Sequence, residues 1–383
     1  MIPRTPGSWF AVFAPLIFVG CSKDPSKTER KAAEPSQPRG SQLPQIPLPP
    51  PVLPDDPKRA EKALLGHHLF FDQRLSGHGD RSCYSCHQNE DGNGGHDPIA
   101  IGSGGKKLTR HAPVIWNVAY AKTALYWDGR AKSLEDNAKG AWGGPNMDAG
   151  KDNLDALAAA LAARPEYKKL FEAAFPGVAA VAIRADQVAN ALAEYERTLI
   201  CKDTAYDKFA NGDKAALSEQ QQKGLDIFLG KGVCTLCHTP PYFSQALAND
   251  APQFYDVGIG TDGPEDAVDV GRMKITNQPT DWAAFKPPSL RNVAKSAPYF
   301  HDGSVAKLAD AVKFMASGGN PNRNKTPLLE DRKLTPAELD DLIAFLGALD
   351  CPGKLEPPAD MAAFTGDLAP AKDAPAKDAP AGK

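Results

Sequence analysis

Two pentads of the same form, Cys83-Tyr84-Ser85-Cys86-His87 and Cys234-Thr235-Leu236-Cys237-His238, constrain this chain more than any other feature of its sequence. Two thiols at this spacing reach both vinyl groups of a porphyrin, and an imidazole directly after the second meets the iron, so C-x-x-C-H is the attachment pattern of a c-type haem. A four-ligand zinc site would draw on both pairs together, yet the pairs stand far apart in the chain and each carries its own His. A thioredoxin-like redox pair needs a strand-to-helix turn in a βαβ pattern, and neither pentad has such alternation around it. The pattern therefore predicts two covalently bound haem c groups, attached through Cys83, Cys86, Cys234 and Cys237, with His87 and His238 as proximal iron ligands.

The rest of the chain agrees with a haem protein built from helices. Leu154 to Leu161, Ala185 to Ile200, Ser218 to Leu229, Val305 to Met315 and Thr335 to Leu349 place apolar residues at helical spacing, several behind Ser, Thr or Pro start signals. Strand alternation is scarce. The expected fold is all-α, two cytochrome c-like haem domains packed together, the first over residues 58–205 and the second over 206–358.

Outside that body the composition changes. Residues 1–20 carry one basic residue, Arg4, and an apolar stretch from Trp9 to Val19 broken by Pro15, which is too short for a membrane span and has the length of a secretory signal. Gly20-Cys21-Ser22 follows and resembles the bacterial lipoprotein cleavage point, with Cys21 as the acylated residue, although Phe18 replaces the usual Leu. Residues 21–57 are rich in Pro, Ser, Lys and Glu and read as an extended tether; residues 359–383, with their Pro-Ala-Lys-Asp-Ala repeats, read as a disordered tail. The expected location is the periplasm of a Gram-negative bacterium, with lipid anchoring to the outer membrane. Formal net charge is -3, from 44 basic and 47 acidic residues. No Lys/Arg run supplies a local attraction, so nucleic acid is excluded as a partner. Once the pentads and Cys21 are assigned, Cys201 and Cys351 remain. An even remainder in an exported protein points to a disulfide between them, with two buried free cysteines as the alternative.

At this point the residues resemble the bacterial di-haem cytochrome c peroxidases, with their MauG-type relatives. Gly66-His67-His68-Leu69-Phe70-Phe71-Asp72-Gln73-Arg74-Leu75-Ser76 is similar to the family's approach to its first pentad, and Tyr126-Trp127-Asp128-Gly129-Arg130-Ala131 to its W-D-G-R segment. Pro288-Ser289-Leu290-Arg291-Asn292-Val293 and Ala297-Pro298-Tyr299-Phe300-His301-Asp302-Gly303 are similar to the stretch before the second haem's distal helix. The resemblance implies that the second haem is the high-potential electron-input site and the first the low-potential site of peroxide reduction. It places Met315 as the second haem's axial ligand; the alternative is core filler in the stripe Val305, Leu308, Val312, Met315. It makes Trp127 an electron bridge, against an ordinary buried aromatic, and sets His301, Arg130, Ser103 and His111 around the haems. Past the tether the first domain contains only Met147 as a methionine, which favours an open iron position there, unless Met147 or a histidine closes it.

Three departures from the family pattern bear on chemistry. Ser103 stands where resting peroxidases carry a histidine that must leave the iron on activation, which implies a first haem needing no such step unless His96 or His111 takes over; both also read as loop histidines. Asn146, before Met147, stands where the family has its proton-moving glutamate, and an amide orients peroxide without shuttling protons. Asp148, Glu135 and Asp136 are the nearby carboxylates, as candidates for that task or as solvated surface groups. His111 after Arg110 replaces an Asn that the family uses, with carbonyls near Ala297, to hold calcium, and this weakens the expectation of calcium.

The function expected is reduction of hydrogen peroxide at the first haem, with electrons from a small cytochrome c or cupredoxin entering at the second. A MauG-like oxidase acting on a partner protein is the first alternative, and a non-catalytic electron-transfer or redox-sensing cytochrome the second. A homodimer is compatible with the resemblance, though no residue requires it.

Overall fold

The computed structural model describes residues 46–364. The expected signal segment 1–20, Cys21, most of the tether and the tail beyond 364 lie outside the described residues. Within them run helices α1 (Arg59–Phe71), α2 (Leu134–Gly143), α3 (Leu154–Ala163), α4 (Pro165–Ala174), α5 (Ala185–Thr198), α6 (Ala205–Ala210), α7 (Glu219–Leu229), α8 (Gln245–Ala248), α9 (Met273–Thr276), α10 (Leu308–Ala316) and α11 (Pro336–Gly347). β-structure among the described residues is confined to isolated bridges. No helix among them is long and apolar enough to cross a membrane.

All five helices expected from periodicity form. Reciprocal capping boxes start two of them: Ser218 Oγ accepts from the Gln221 N–H while Gln221 accepts from Ser218, and Thr335 and Glu338 do the same. The stretch from Val305 becomes helical only at Leu308, because Val305 pairs with Tyr299 in an antiparallel bridge and Lys307 is extended. Helices α1 and α4 were not among the expected ones. Pro165 opens α4 at its first position, where its missing N–H costs nothing.

Each half is organised by one helix crossing made at a glycine. A Cβ on Gly66 of α1 would lie 1.9 Å from the Ala191 carbonyl oxygen of α5, and one on Gly224 of α7 would lie 2.0 Å from that of Asp341 in α11. Only glycine lets these backbones touch. Around the first crossing pack Leu65, Leu69, Phe70, Trp142, Tyr167, Phe171 and Leu192; around the second, Tyr206, Phe228, Phe243, Phe345 and Leu349. Beside the second crossing, Phe228, Leu342 and Leu346 line the space onto which the second pentad opens.

The halves repeat one another in detail. Leu125 bridges Ala131 as Tyr299 bridges Val305. Tyr126 and Phe300 both have positive φ, as do Gly129 and Gly303, and α2 and α10 follow at the same offset. Asn117 and Asn292, both left-handed, each accept a hydrogen bond on Oδ1 from the backbone of a cysteine just past the last helix of their half, Cys201 at 2.7 Å and Cys351 at 2.8 Å. Those two cysteines are bonded to each other, so a disulfide joins equivalent ends of the two halves.

Residues 351–364 return to the first half: Cys351, Leu355 and Phe364 are buried in the first core. His68 bonds Asp360 at 3.0 Å, and Asn89 bonds the Leu355 backbone through both ends of its amide. The chain returns because the first core offers an apolar surface beside Tyr167 and His68, on which Phe364 closes.

The second half is anchored by a fully buried ion pair. Arg291 reaches both oxygens of Asp207 at 2.7 and 2.8 Å and also donates to the Pro241 carbonyl. Asp207 in turn caps α6 through Thr204. Removing one partner of such a pair strands the other charge. Arg291→Met is expected to lower the unfolding free energy by about 3–5 kcal/mol, measured by chemical denaturation; a loss below about 1 kcal/mol would show that the pair anchors nothing.

Candidate haem sites

In the second half the pentad follows α7 as a short turn, and His238 N–H donates to the Cys234 carbonyl. The His238 Nδ1 lies 3.2 Å from the Phe243 carbonyl and 3.1 Å from that of Pro288. Nδ1 therefore carries the proton and Nε2 is left with its lone pair, the form a metal requires. Burial holds the ring's pKa below its ordinary value, which keeps it neutral. A cavity of about 240 Å³ opens beside it, lined by Cys234, Cys237, His238, Trp127, Phe285, Lys286 and His301. Leu308, Ala311, Val312 and Met315 of α10 line the same cavity, so the apolar stripe seen in the sequence is a wall of this space and Met315 belongs to it.

The first pentad has the same local design. His87 Nδ1 donates to the Asn93 carbonyl at 3.2 Å, and burial depresses the ring's pKa to about 4. Asn93 is fixed by its own amide, which donates to the His87 carbonyl and accepts from Trp116 Nε1 at 2.7 Å. Cys86 Sγ lies 3.9 Å from the Ile101 carbonyl oxygen.

These residues fit haem c. All four pentad cysteines are unbonded and part-buried, and burial raises their pKa values, Cys234 and Cys237 to about 11. Each pentad adds a neutral imidazole with a free Nε2, and the second cavity adds a thioether among carbon walls. Beside Cys86, the Arg81 Nε is buried without a hydrogen-bond partner, a cationic group to meet an anionic edge of a cofactor. Among the described residues no group of three or more His, Cys, Asp or Glu is arranged to hold a metal ion.

Between the two sites lies a polar junction. Trp127 lines the second cavity and donates from Nε1 to the His111 carbonyl at 2.8 Å; His111 N–H donates to the His301 carbonyl at 2.7 Å. The His111 ring is buried, with Nδ1 donating to the Asp97 carbonyl, and it lies close enough to His87 to affect its titration. His301 stacks on Phe285 with centroids 3.7 Å apart, and burial lowers its pKa to about 4. Arg110 clamps the junction by bonding Asp269 and Asp128, and Arg272 donates to the Asp128 and Gly129 carbonyls. Arg130 stands to one side, paired with Asp128 and lying over the Tyr126 ring at 3.5 Å.

The residues expected near the first haem scatter more. Ser103 is buried, donates to Asp80 at 2.6 Å, and lies 3.2 Å from the Nδ1 of exposed His78; its backbone N–H donates to the Asn146 carbonyl at 2.9 Å. Met147 is buried in the first core. Asp148 is half-buried and 3.7 Å from Lys106, and Glu135 is ion-paired with Arg197 at 2.8 Å. His96 is an exposed partner of Asp91. Sequence reasoning missed Asp80 and His78, and it also missed Glu196, a carboxyl that burial pushes up to about 8 in a position to act on Cys83. Nothing in the local sequence separates these from surface residues.

The internal repeat exposes an asymmetry. The offset that superposes Leu125 on Tyr299, Tyr126 on Phe300 and the start of α2 on that of α10 superposes Ala141 on Met315. It also sets Trp127 against His301 and Asp128 against Asp302. Where the second cavity has a thioether, the first half has a methyl group.

The family model for di-haem cytochrome c peroxidase matches residues 60–215. Cytochrome-c peroxidase IdrP1 of Pseudomonas sp. (strain SCT) is 35% identical over 339 residues, 80% of this chain and 85% of that protein. The methylamine utilization protein MauG of Methylorubrum extorquens is 34% identical over 307 residues, 79% of this chain and 81% of that protein. The crystal structure of a MauG-like protein associated with microbial copper homeostasis superposes with a TM-score of 0.73 at 32% identity, over 83% of this chain and 97% of that one. Paired pentads in two repeated helical halves, together with identity of this extent along the chain, place it in the di-haem cytochrome c peroxidase family, whose members carry two covalently bound haem c groups.

Proposed function

We propose that the chain reduces hydrogen peroxide to water at the first haem, using electrons that a small cytochrome c or cupredoxin delivers to the second. His87 and His238 are the proximal ligands, Met315 is the second haem's other ligand, and Trp127 is the bridge. The protein works in the periplasm, held to the outer membrane through Cys21. The observation that carries this reading is the Ala141/Met315 asymmetry. A thioether raises the potential of one iron, as electron input requires, and a methyl group closes off no coordination position on the other.

Bound haem supplies the redox chemistry, with peroxide taking two electrons and two protons to give two waters. The chain supplies the rest. Carbonyl acceptors on Nδ1 keep His87 and His238 neutral and correctly turned. Asn146 orients peroxide by its amide. Glu135 is ion-paired with Arg197 and Asp148 lies near Lys106. The titratable groups joined to the Asn146 backbone are Asp80 and His78, through Ser103. Because Ser103 is already bonded to Asp80, the segment brings no imidazole to the iron, which supports a first haem that reacts without prior reductive activation. Calcium forms no part of the reading, because the His111 ring brings no oxygen ligand.

One observation favours a second reading. Asn146 removes the acid-base group a fast peroxidase relies on, and the chain is 32% identical to a MauG-like protein; in that case the oxidising equivalents are spent on a partner protein's side chain.

Steady-state peroxide consumption with a reduced cytochrome c donor separates the readings. Turnover that oxidises the donor two-for-one with peroxide supports the peroxidase, whereas donor-independent consumption of peroxide favours partner oxidation. Electron paramagnetic resonance of the ferric protein is expected to show one high-spin and one low-spin haem, and two low-spin signals unresponsive to cyanide would leave only an electron carrier. Ala141→Met is expected to turn the high-spin signal low-spin and abolish turnover with the second haem's spectrum unchanged. Retention of both signal and turnover would show that Ala141 does not face the iron.

A further inference from the structure

Lys286 is a charged side chain in the wall of the second cavity that no activity described so far uses. Its backbone N–H donates to the Trp127 carbonyl at 2.8 Å, and its neighbour Phe285 pairs with Tyr255 and stacks on His301. It therefore sits on the Trp127 side of the cavity, at the junction between the halves. The ammonium has no hydrogen bond or ion pair among the described residues, and burial alone lowers its pKa to about 8. The acids nearest the junction are engaged elsewhere, Asp269 and Asp128 by Arg110 and Asp128 also by Arg130. The other cation lining the cavity, Arg332, is committed to the Leu328 carbonyl and to Glu330. Lys286 is half-buried, and a cation that loses part of its water without gaining a partner is destabilised. A fold tolerates it where an anion arrives to complete the pair.

We propose that Lys286 is the counter-ion of a haem propionate on the Trp127 side of the second haem, and that its positive charge raises the potential of that haem. This rests on the reading that the second cavity holds a His238/Met315 haem. A nearby cation favours the reduced iron, which carries one positive charge less than the oxidised form, so electron input is strengthened at the edge from which electrons leave toward Trp127. Lys286 acts through the cofactor's field and touches no substrate, so it is a positioning and tuning residue.

The test is spectroelectrochemical titration of the holoprotein and of its Lys286→Gln, Lys286→Met and Lys286→Arg variants, with haem content and the absorption signature of Met ligation recorded for each. The expected result is a lower midpoint potential for the second haem in the Gln and Met variants, close to wild type in the Arg variant, with Met ligation retained throughout. Gln and Met variants that keep Met ligation and the wild-type potential would overturn the proposal. Should a variant fail to take up haem, the Arg variant decides: a wild-type potential there supports a requirement for charge, and a potential lowered as far as in the remaining neutral variant refutes it. If the wild-type protein itself lacks the Met signature, the underlying reading of the cavity has failed, which is distinguishable from failure of the Lys286 assignment.

Discussion

The backbone contact of α1 with α5 at Gly66, and of α7 with α11 at Gly224, is the constraint on which the rest of each half depends. Close helix contact at these glycines sets where the large side chains of each core pack, and beside the second crossing it leaves a cavity lined by Phe228, Leu342 and Leu346. A flat apolar cofactor would fit the second cavity, held by Cys234, Cys237 and His238. The pentad turn leads out of the first helix of each pair, so its thiols and imidazole are delivered to the cavity edge. The loop after it returns to offer a carbonyl to Nδ1. The tautomer of the proximal histidine is thereby a consequence of the main-chain path, through Asn93 in one half and Phe243 with Pro288 in the other.

Repetition of this arrangement makes the differences between the halves informative. A chain that uses the same bridge, the same left-handed asparagine and the same terminal cysteine twice makes a change at a matched helix position informative. Ala141 against Met315 is such a change. Trp127 and His301 also occupy matching positions, and they meet across the junction through the His111 backbone, so the repeat brings an aromatic from one half and an imidazole from the other to its own pseudo-symmetric centre.

Much of this was legible in the sequence because it rests on short or fixed spacing. The pentads, the capping boxes at Ser218 and Thr335, the α10 stripe and the even pair Cys201 and Cys351 are local patterns or matters of parity. What could not be read depends on distant neighbours. Gly66 interrupts a helical stretch that also carries His67 and His68, so α1 looks like a loop until Ala191 is seen against it. Phe364 is one aromatic in a stretch rich in Ala, Pro and Asp, and only the surface made by Tyr167 and His68 draws it into the first core. Lys286 is one lysine among many until its cavity is known. Ser103 and Asn146 were identified as departures from a pattern, but the Asp80 and His78 side chains that the fold gathers at Ser103 carry no local mark.

The junction also explains why the halves are tied so firmly. Electron transfer between two centres weakens steeply as they separate, so the bridge proposed at Trp127 would need the two halves held at a fixed distance. Three kinds of restraint converge on that requirement. The disulfide joins equivalent ends of the halves, residues 351–364 return from the second half into the first core, and Arg110 spans Asp128 of one half and Asp269 of the other. Together they tie the halves at several points rather than through a single hinge. A fold that needed to open between its haems in order to be activated would be poorly served by such bracing. Under the proposed function, in which the first haem needs no such step, a junction braced in this way is no obstacle.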